Sequence, residues 1–243
     1  MLTIAIFTYK RIKNLNKCLK SIDSKNVSEI LIFNDDETLS LTLDDINIDD
    51  NNKKLIKIFN PQDFNFKNRE FRKPIYLNKA VSLCRNEFIL FSDDDGIFSK
   101  GAINQHVNAL STFDFSAGGV IRSKFFSRIS TSILQGTNYA FRKSFFKILG
   151  GYDEIFSQSM GGGDVDFWYR IYNYSIKNNS KVAFLPNAIQ TVKSKSTRTR
   201  NKKNRGMDSR IYTMKKHNLN LNGPMYKWFQ NIRNKYNWME IIK

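Results

Sequence analysis

Residues 87–98 read EFILFSDDDGIF. An apolar run, Phe88-Ile89-Leu90-Phe91, drives into three adjacent carboxylates, Asp93, Asp94 and Asp95. Four apolar residues bounded by polar ones suit a strand buried on both faces. Three like charges crowded at its carboxyl end repel one another and need a compensating positive charge.

The flanking sequence supplies more strands of the same kind. Residues 2–7, LTIAIF, read as a first buried strand. Residues 12–22 put Ile12, Leu15, Leu19 and Ile22 on one helical face. EILIFNDD (29–36) is a second apolar strand ending in acids, and LIKIFN (55–60) a third, stopping before Pro61. Residues 38–54, acidic and rich in asparagine, read as loop. Pro74 suits the first turn of a helix over 74–85. Strands alternating with helices predict an α/β fold with a mostly parallel central sheet flanked by helices.

In open sheets of that kind, ligands bind outside the carboxyl ends of the strands. Asp35-Asp36 and Asp93-Asp94-Asp95 both fall at such ends. A divalent cation would relieve the repulsion, and hard oxygen ligands suit magnesium or manganese. A cation held by one or two carboxylates completes its shell with water and phosphate oxygens, which implies a phosphate-bearing substrate. An exposed acidic turn capping a helix would look the same in sequence.

The whole chain bounds the function further. Its 243 residues, 41% hydrophobic, are enough for a sizeable core. Cys18 and Cys84 lack metal-ligand spacing and read as buried thiols in a reducing compartment. No apolar run approaches the ~18 residues of a membrane span, and the start lacks the order of a signal peptide. The expectation is a cytoplasmic protein. The formal charge of +17 is uneven: residues 190–243 carry fourteen Lys/Arg against two acids, a net +12, leaving +5 for the rest. This predicts a main folded domain over 1–190 and a basic C-terminal segment over 191–243. Such a segment is either a solvated tail or attracted to an anionic partner. Within it, KSKSTRTRNKKNR (193–205) is nearly devoid of apolar residues. After Asn222-Gly223-Pro224, residues Trp228, Phe229, Ile232, Tyr236 and Met239 recur at helical spacing among Lys and Arg. That predicts an amphipathic helix, packed on the core or lying on an anionic membrane surface.

A second constellation lies in GGYDEIFSQSMGGGDVDFWYR (150–170). Asp164 and Asp166 follow three glycines and precede a helix whose buried side is Phe167, Trp168, Ile171 and Tyr172. An acid there is also what an ordinary N-cap requires.

Taken together, five segments in register resemble nucleotide-sugar glycosyltransferases of the GT-A fold, most of all the inverting family 2. They are TIAIFTYKRIKNLNKCLKSI, EILIFNDDE, NKAVSLCRNEFILFSDDD, GTNYAFRKSFFKILGGYDEIF and GGGDVDFWYRI. The resemblance implies a Rossmann-like GT-A sheet over roughly residues 2–190. It implies that Thr8, Tyr9 and Arg11 line the nucleotide pocket and that Asp35 or Asp36 binds the base. Asp93 would hold the ribose or the metal's water shell, Asp95 would ligate Mn2+ or Mg2+, and Asp94 would be the variable middle position. Asp164 aligns with the catalytic base, Asp166 with a supporting acid, and Arg170 with their partner. Two departures stand out. Gly163 replaces the usual Glu before the base, and no His follows the P-x-A segment in LPNAIQTVKSKST. His217 and Lys193 are the candidates to reach the metal or diphosphate instead.

The implied activity is metal-assisted inverting transfer of a sugar from a nucleoside diphosphate, UDP by default. The acceptor would be a hydroxyl of a glycan or lipid-linked molecule, in bacterial surface polysaccharide synthesis on the inner face of the cell membrane. Two rivals remain. A metal-dependent nucleotidyltransferase would also set carboxylates against a nucleotide, but the chain lacks a glycine-rich, lysine-containing phosphate loop after its first strand. A basic nucleic-acid-binding protein fits the charge, but the acids sit at strand ends and no zinc, RRM or KH signature is present. No nucleic-acid partner is therefore expected.

Overall fold

The computed structural model describes residues 1–64, 72–122, 136–157, 162–192, 207–219 and 238–242. Three parallel strands open the chain: β1 (Leu2–Thr8), β2 (Val27–Asn34) and β3 (Ile56–Phe59). The helix α1 (Ile12–Lys20) crosses between the first two and buries Leu15, Cys18 and Leu19. Where a loop was expected over 38–54, the chain forms a 3-10 turn at Leu43–Asp45 and a single helical turn, α2 (Asp50–Lys53). The Asp49 carboxylate accepts the Asn52 N–H at 3.0 Å, and this capping bond is what makes so short a turn hold.

Next come α3 (Lys73–Leu83), β4 (Phe88–Asp93), the short β5 (Gly96–Phe98) and α4 (Ala102–Leu110). They are followed by β6 (Phe115–Arg122), β7 (Tyr139–Arg142), α5 (Lys143–Ile148), α6 (Gly163–Lys177), β8 (Val182–Val192), α7 (Met207–Lys216) and β9 (Met239–Ile241). The sheet order is β3-β2-β1-β4-β7-β6-β8-β5, with β9 beside β8. β4 pairs in parallel with β1, whereas β7 runs antiparallel to both β4 and β6, and β5 antiparallel to β8. The sheet is thus mostly parallel, as expected, with antiparallel insertions in its second half.

The two-residue period of the strands explains the layers. On β1, Ala5 and Phe7 join one core, while Leu2, Ile4 and Ile6 join the other. The first core is aromatic: Phe33, Tyr76, Phe91, Phe115, Phe141 and Trp168 interlock. The second is aliphatic and packs α1 and α4 against the opposite face. Each fully buried Phe or Leu contributes roughly 1.5–3 kcal/mol, so the β4 run Ile89-Leu90-Phe91 is a major anchor.

Both cysteines are buried and free, as read from their spacing. The C-terminal reading needs correction at Met239. It lies on β9, in register with Val182, rather than on a helix. Trp238 is fully buried against the Tyr172 ring at 5.6 Å, and burial of that indole in the core overrides the helical spacing of its neighbours. Trp228, Phe229, Ile232 and Tyr236 lie outside the described residues. No helix among the described residues is long and apolar enough to cross a membrane.

Candidate functional site

Because β2 and β4 lie on opposite sides of β1, the strand order reverses at β1. In open α/β sheets such a reversal is where a crevice forms outside the carboxyl ends. Thr8, Asp35 and the acidic triplet all border it, with Asp35 N–H on Thr8 O at 2.9 Å and Asp94 N–H on Phe7 O at 3.2 Å.

The three acids of the triplet have different fates. Asp94, the expected variable position, is fully buried. Its Oδ2 accepts Thr8 Oγ1 at 2.8 Å and Arg11 Nε at 3.1 Å, and its Oδ1 is ion-paired with the same guanidinium. Burial pushes the Asp94 carboxyl up to about 7 against the pull of Arg11 and Thr8. Arg11 Nη1 also reaches Asp95 Oδ2 at 2.8 Å. Asp93 is paired with Lys73, whose Nζ donates to Gly136 O at 2.8 Å as well. Sequence reasoning took the triplet to need an added cation; Arg11 and Lys73 already supply two positive charges from the chain itself.

The backbone of Asp93 is held from behind. Its N–H donates to Thr137 Oγ1 at 3.0 Å; Thr137 donates to Gln190 Oε1 at 2.7 Å, and Gln190 Nε2 to Ser92 Oγ at 2.7 Å. Gln190 stands in the segment where a metal-binding His was sought, and it is fully buried.

Of the pair after β2, Asp36 is turned inward and accepts the Thr38 N–H and Oγ1 at 2.9 and 2.7 Å. Asp35 is the more exposed and is held by Arg72 Nη1 at 3.0 Å, while the same guanidinium pairs with Glu37. The two acids left open by the sequence are therefore unlike, and Asp35 is the one facing outward. Thr8 and Arg11 turn their polar atoms to the triplet, and Tyr9 presents an exposed ring under Lys10 Nζ.

Asp164 sits in the first turn of α6, where the helix dipole favours a carboxylate. Its Oδ1 accepts the Val165 N–H at 3.0 Å. A Cβ built on Gly136 would lie 3.5 Å from Asp164 Oδ2 and 3.7 Å from Lys73 Nζ. Gly136 therefore separates the Lys73–Asp93 pair from Asp164, and the two acidic constellations share one neighbourhood. A Cβ on Gly163 would stand 3.3 Å from Phe156 Cβ and 3.6 Å from the Tyr152 ring. Any side chain at that position would press on Phe156.

Asp166 is fully buried among basic side chains. Arg170 Nη2 lies 2.8 Å from its Oδ2, and Lys216 Nζ and His217 Nε2 lie 2.9 and 2.8 Å from its Oδ1. Burial alone would raise this carboxyl, but His217, Arg170 and Lys216 outweigh it and hold the group down at about 2. His217, sought at the metal, is thus a partner of Asp166, its ring tilted against that of Tyr169 with centroids 4.3 Å apart. Lys193 lies outside the described residues.

Lys73, Arg72, Thr137, Gln190 and Lys216 went unread in sequence. One signal existed for Lys73: a cation in the first turn of a helix opposes the dipole and needs an acid nearby. Among the described residues, no group of three or more His, Cys, Asp or Glu side chains is arranged to hold a metal on its own.

Comparison with known proteins follows the geometry. Residues 3–161 match the family described as Glycosyl transferase family 2. No curated protein sequence matches the chain. Among solved structures, S. aureus TarS 1-349 in complex with UDP-GlcNAc superposes with a TM-score of 0.60 at 14% identity, covering 81% of this chain and 59% of that one. The mannosyltransferase PcManGT from Pyrobaculum calidifontis, in complex with GDP-Man and Mn2+, gives 0.58 at 14% identity, covering 97% and 69%. The chain spans less than two thirds of the TarS chains it matches. At these identities the likeness is one of fold, the GT-A architecture.

Proposed function

The chain belongs to glycosyl transferase family 2, and from that premise we propose that it moves a sugar from a nucleoside diphosphate to an acceptor hydroxyl with inversion. The observation that carries this reading is the shared neighbourhood of Asp93 and Asp164 across Gly136. A donor carboxylate cluster and a candidate base belong to separate parts of the chain, and a transferase needs both at one crevice.

In this reading Asp164 is the general base. Its Oδ2 accepts no hydrogen bond from the described residues, which leaves it available to a hydroxyl approaching within about 2.6–3.2 Å. The acceptor oxygen attacks the anomeric carbon as its proton passes to Asp164. The bond from that carbon to the phosphate oxygen breaks, and the nucleoside diphosphate leaves with the bonding electrons. Asp35, outward-facing and steadied by Arg72, accepts an N–H of the base, which suits uracil and a UDP-sugar.

A hard divalent cation would be held by Asp93 and Asp95 in exchange for their ion pairs with Lys73 and Arg11. Asp93 and Asp95 offer oxygen ligands at the crevice, and with so few protein ligands the remainder would be phosphate oxygens and water. Magnesium or manganese held there would offset charge on the departing diphosphate. The Mn2+ and GDP-Man in the PcManGT complex and the UDP-GlcNAc in the TarS complex support this assignment. We further propose a glycan or lipid-linked acceptor in bacterial surface polysaccharide synthesis, reached from the cytoplasm at the inner face of the membrane by the basic segment 191–243.

Incubation with a panel of nucleotide sugars, Mn2+ and a lipid-linked acceptor tests the proposal. Nucleoside diphosphate release with an inverted anomeric product is the expected result. Pyrophosphate release would make the protein a nucleotidyltransferase, and silence with tight oligonucleotide binding would make it a nucleic-acid binder.

A further inference from the structure

Among the described residues, no side chain aims Asp164. Its Oδ1 is engaged by the next residue's N–H, and its Oδ2 by nothing among the described residues. The direction of the carboxylate is therefore set by the backbone of the first turn of α6. That turn begins at Gly162, in the left-handed region at φ 98°, a joint with more conformational freedom than any other residue would give. Such a joint needs holding from outside.

α7 grips it on both sides. Two residues before Asp164, the buried Ser209 packs on Gly162, 3.0 Å from where a Cβ would stand. Two residues after it, Lys216 Nζ and His217 Nε2 close on Asp166 Oδ1 at 2.9 and 2.8 Å. α6 supplies its own cation, Arg170, only to the other oxygen, Oδ2. α7 is in turn anchored to the turn before α6: Lys216 Nζ and Tyr212 OH each meet Asp153 Oδ2 at 2.8 Å. His217 Nε2 completes the cluster, beside Lys216 on the same Asp166 oxygen.

We propose that α7 sets the aim of the base, with Lys216 and His217 as positioning residues that act on Asp164 through Asp166. The proposal rests on Asp164 being the base. It concerns residues beyond the span that matches the family, since that match ends at residue 161.

The test uses the full chain with Lys216→Met, His217→Leu and His217→Gln, the last keeping an amide N–H donor near the place of Nε2–H. Expected are a fall in kcat of about 10- to 100-fold for the first two, as for a base displaced by about an ångström, an unchanged KM for the donor, and recovery of most of kcat in His217→Gln. Hydrogen exchange should quicken in residues 164–168 of Lys216→Met while β1 and β4 stay protected and calorimetric UDP binding is unchanged. Wild-type kcat in both disruptive variants overturns the proposal. So does a loss of kcat that comes with loss of UDP binding and of protection in β4, which is general unfolding. If no donor turns over, unchanged exchange at 164–168 overturns it by itself. Asp164→Asn separates the two claims: normal turnover there sinks the base and this proposal with it, whereas a dead Asp164→Asn beside fully active α7 variants sinks this proposal alone.

Discussion

Thr8 Oγ1 donates a 2.8 Å hydrogen bond to Asp94 Oδ2, joining residues 86 positions apart at the ends of β1 and β4. The bond makes the middle acid of the triplet a fastener of the sheet rather than a free ligand. With Arg11 on the same carboxylate, it also fixes the flanking Asp93 and Asp95 at the rim of the crevice.

Removing either partner should therefore cost stability. Thr8→Val keeps the shape but leaves a buried oxygen short of a donor, at about 1–3 kcal/mol. Arg11→Met removes the cation beside a carboxyl that burial already holds up at about 7, so Asp94 takes a proton and the cost is that of the lost hydrogen bonds, about 1–3 kcal/mol, growing as the pH rises above 7. Urea denaturation checks both. An Arg11→Met protein as stable as the parent at every pH would mean that the Arg11–Asp94 pair does not fasten the fold.

Asp164→Asn retains the helix position and the size of the side chain but cannot take a proton. Transfer should fall about 10²–10⁴-fold, the range for loss of a general base, while UDP binding persists. Full turnover with intact donor binding would remove Asp164 from the chemistry.

Asp95→Ala should abolish the dependence of UDP affinity on Mn2+, because it deletes a hard oxygen ligand. Calorimetric titration with and without Mn2+ reads this directly. A variant whose affinity still rises with Mn2+ as in the parent would place the cation elsewhere.

Asp166 gives a pH signature. Its folded-state value of about 2 lies below the ordinary 3.8, so the folded protein binds this proton less tightly than the unfolded chain. Its contribution is present above pH 4 and is lost as the pH falls from about 4 to 2, amounting to roughly 2 kcal/mol. Denaturant midpoints across that window should drop in the parent and drop less in Asp166→Asn. Parallel curves would show that the cluster with Lys216 and His217 does not form in solution.

The sheet and its acidic rim were legible in the residues because both are local. Apolar runs of strand length at 2–7, 30–33 and 88–91 declare themselves by composition, and the acids that follow the last two necessarily land at the carboxyl ends of their strands. The neighbourhood of Asp164 was readable for the same reason, a glycine run followed by a helix with one aromatic face. What each acid does was not readable. Asp93, Asp94 and Asp95 are identical in sequence, and only the fold buries the middle one against Thr8 and Arg11 while giving the first to Lys73. Lys216 and His217 meet Asp166 across fifty residues, a pairing that no periodicity encodes. Met239 joined a strand because Trp238 is buried against Tyr172, although its spacing suited a helix. Local chemistry determined which groups stand at the crevice; long-range packing decided which of them are paired, which are buried and which stay open to a substrate, because burial and partnership depend on segments far apart in the chain.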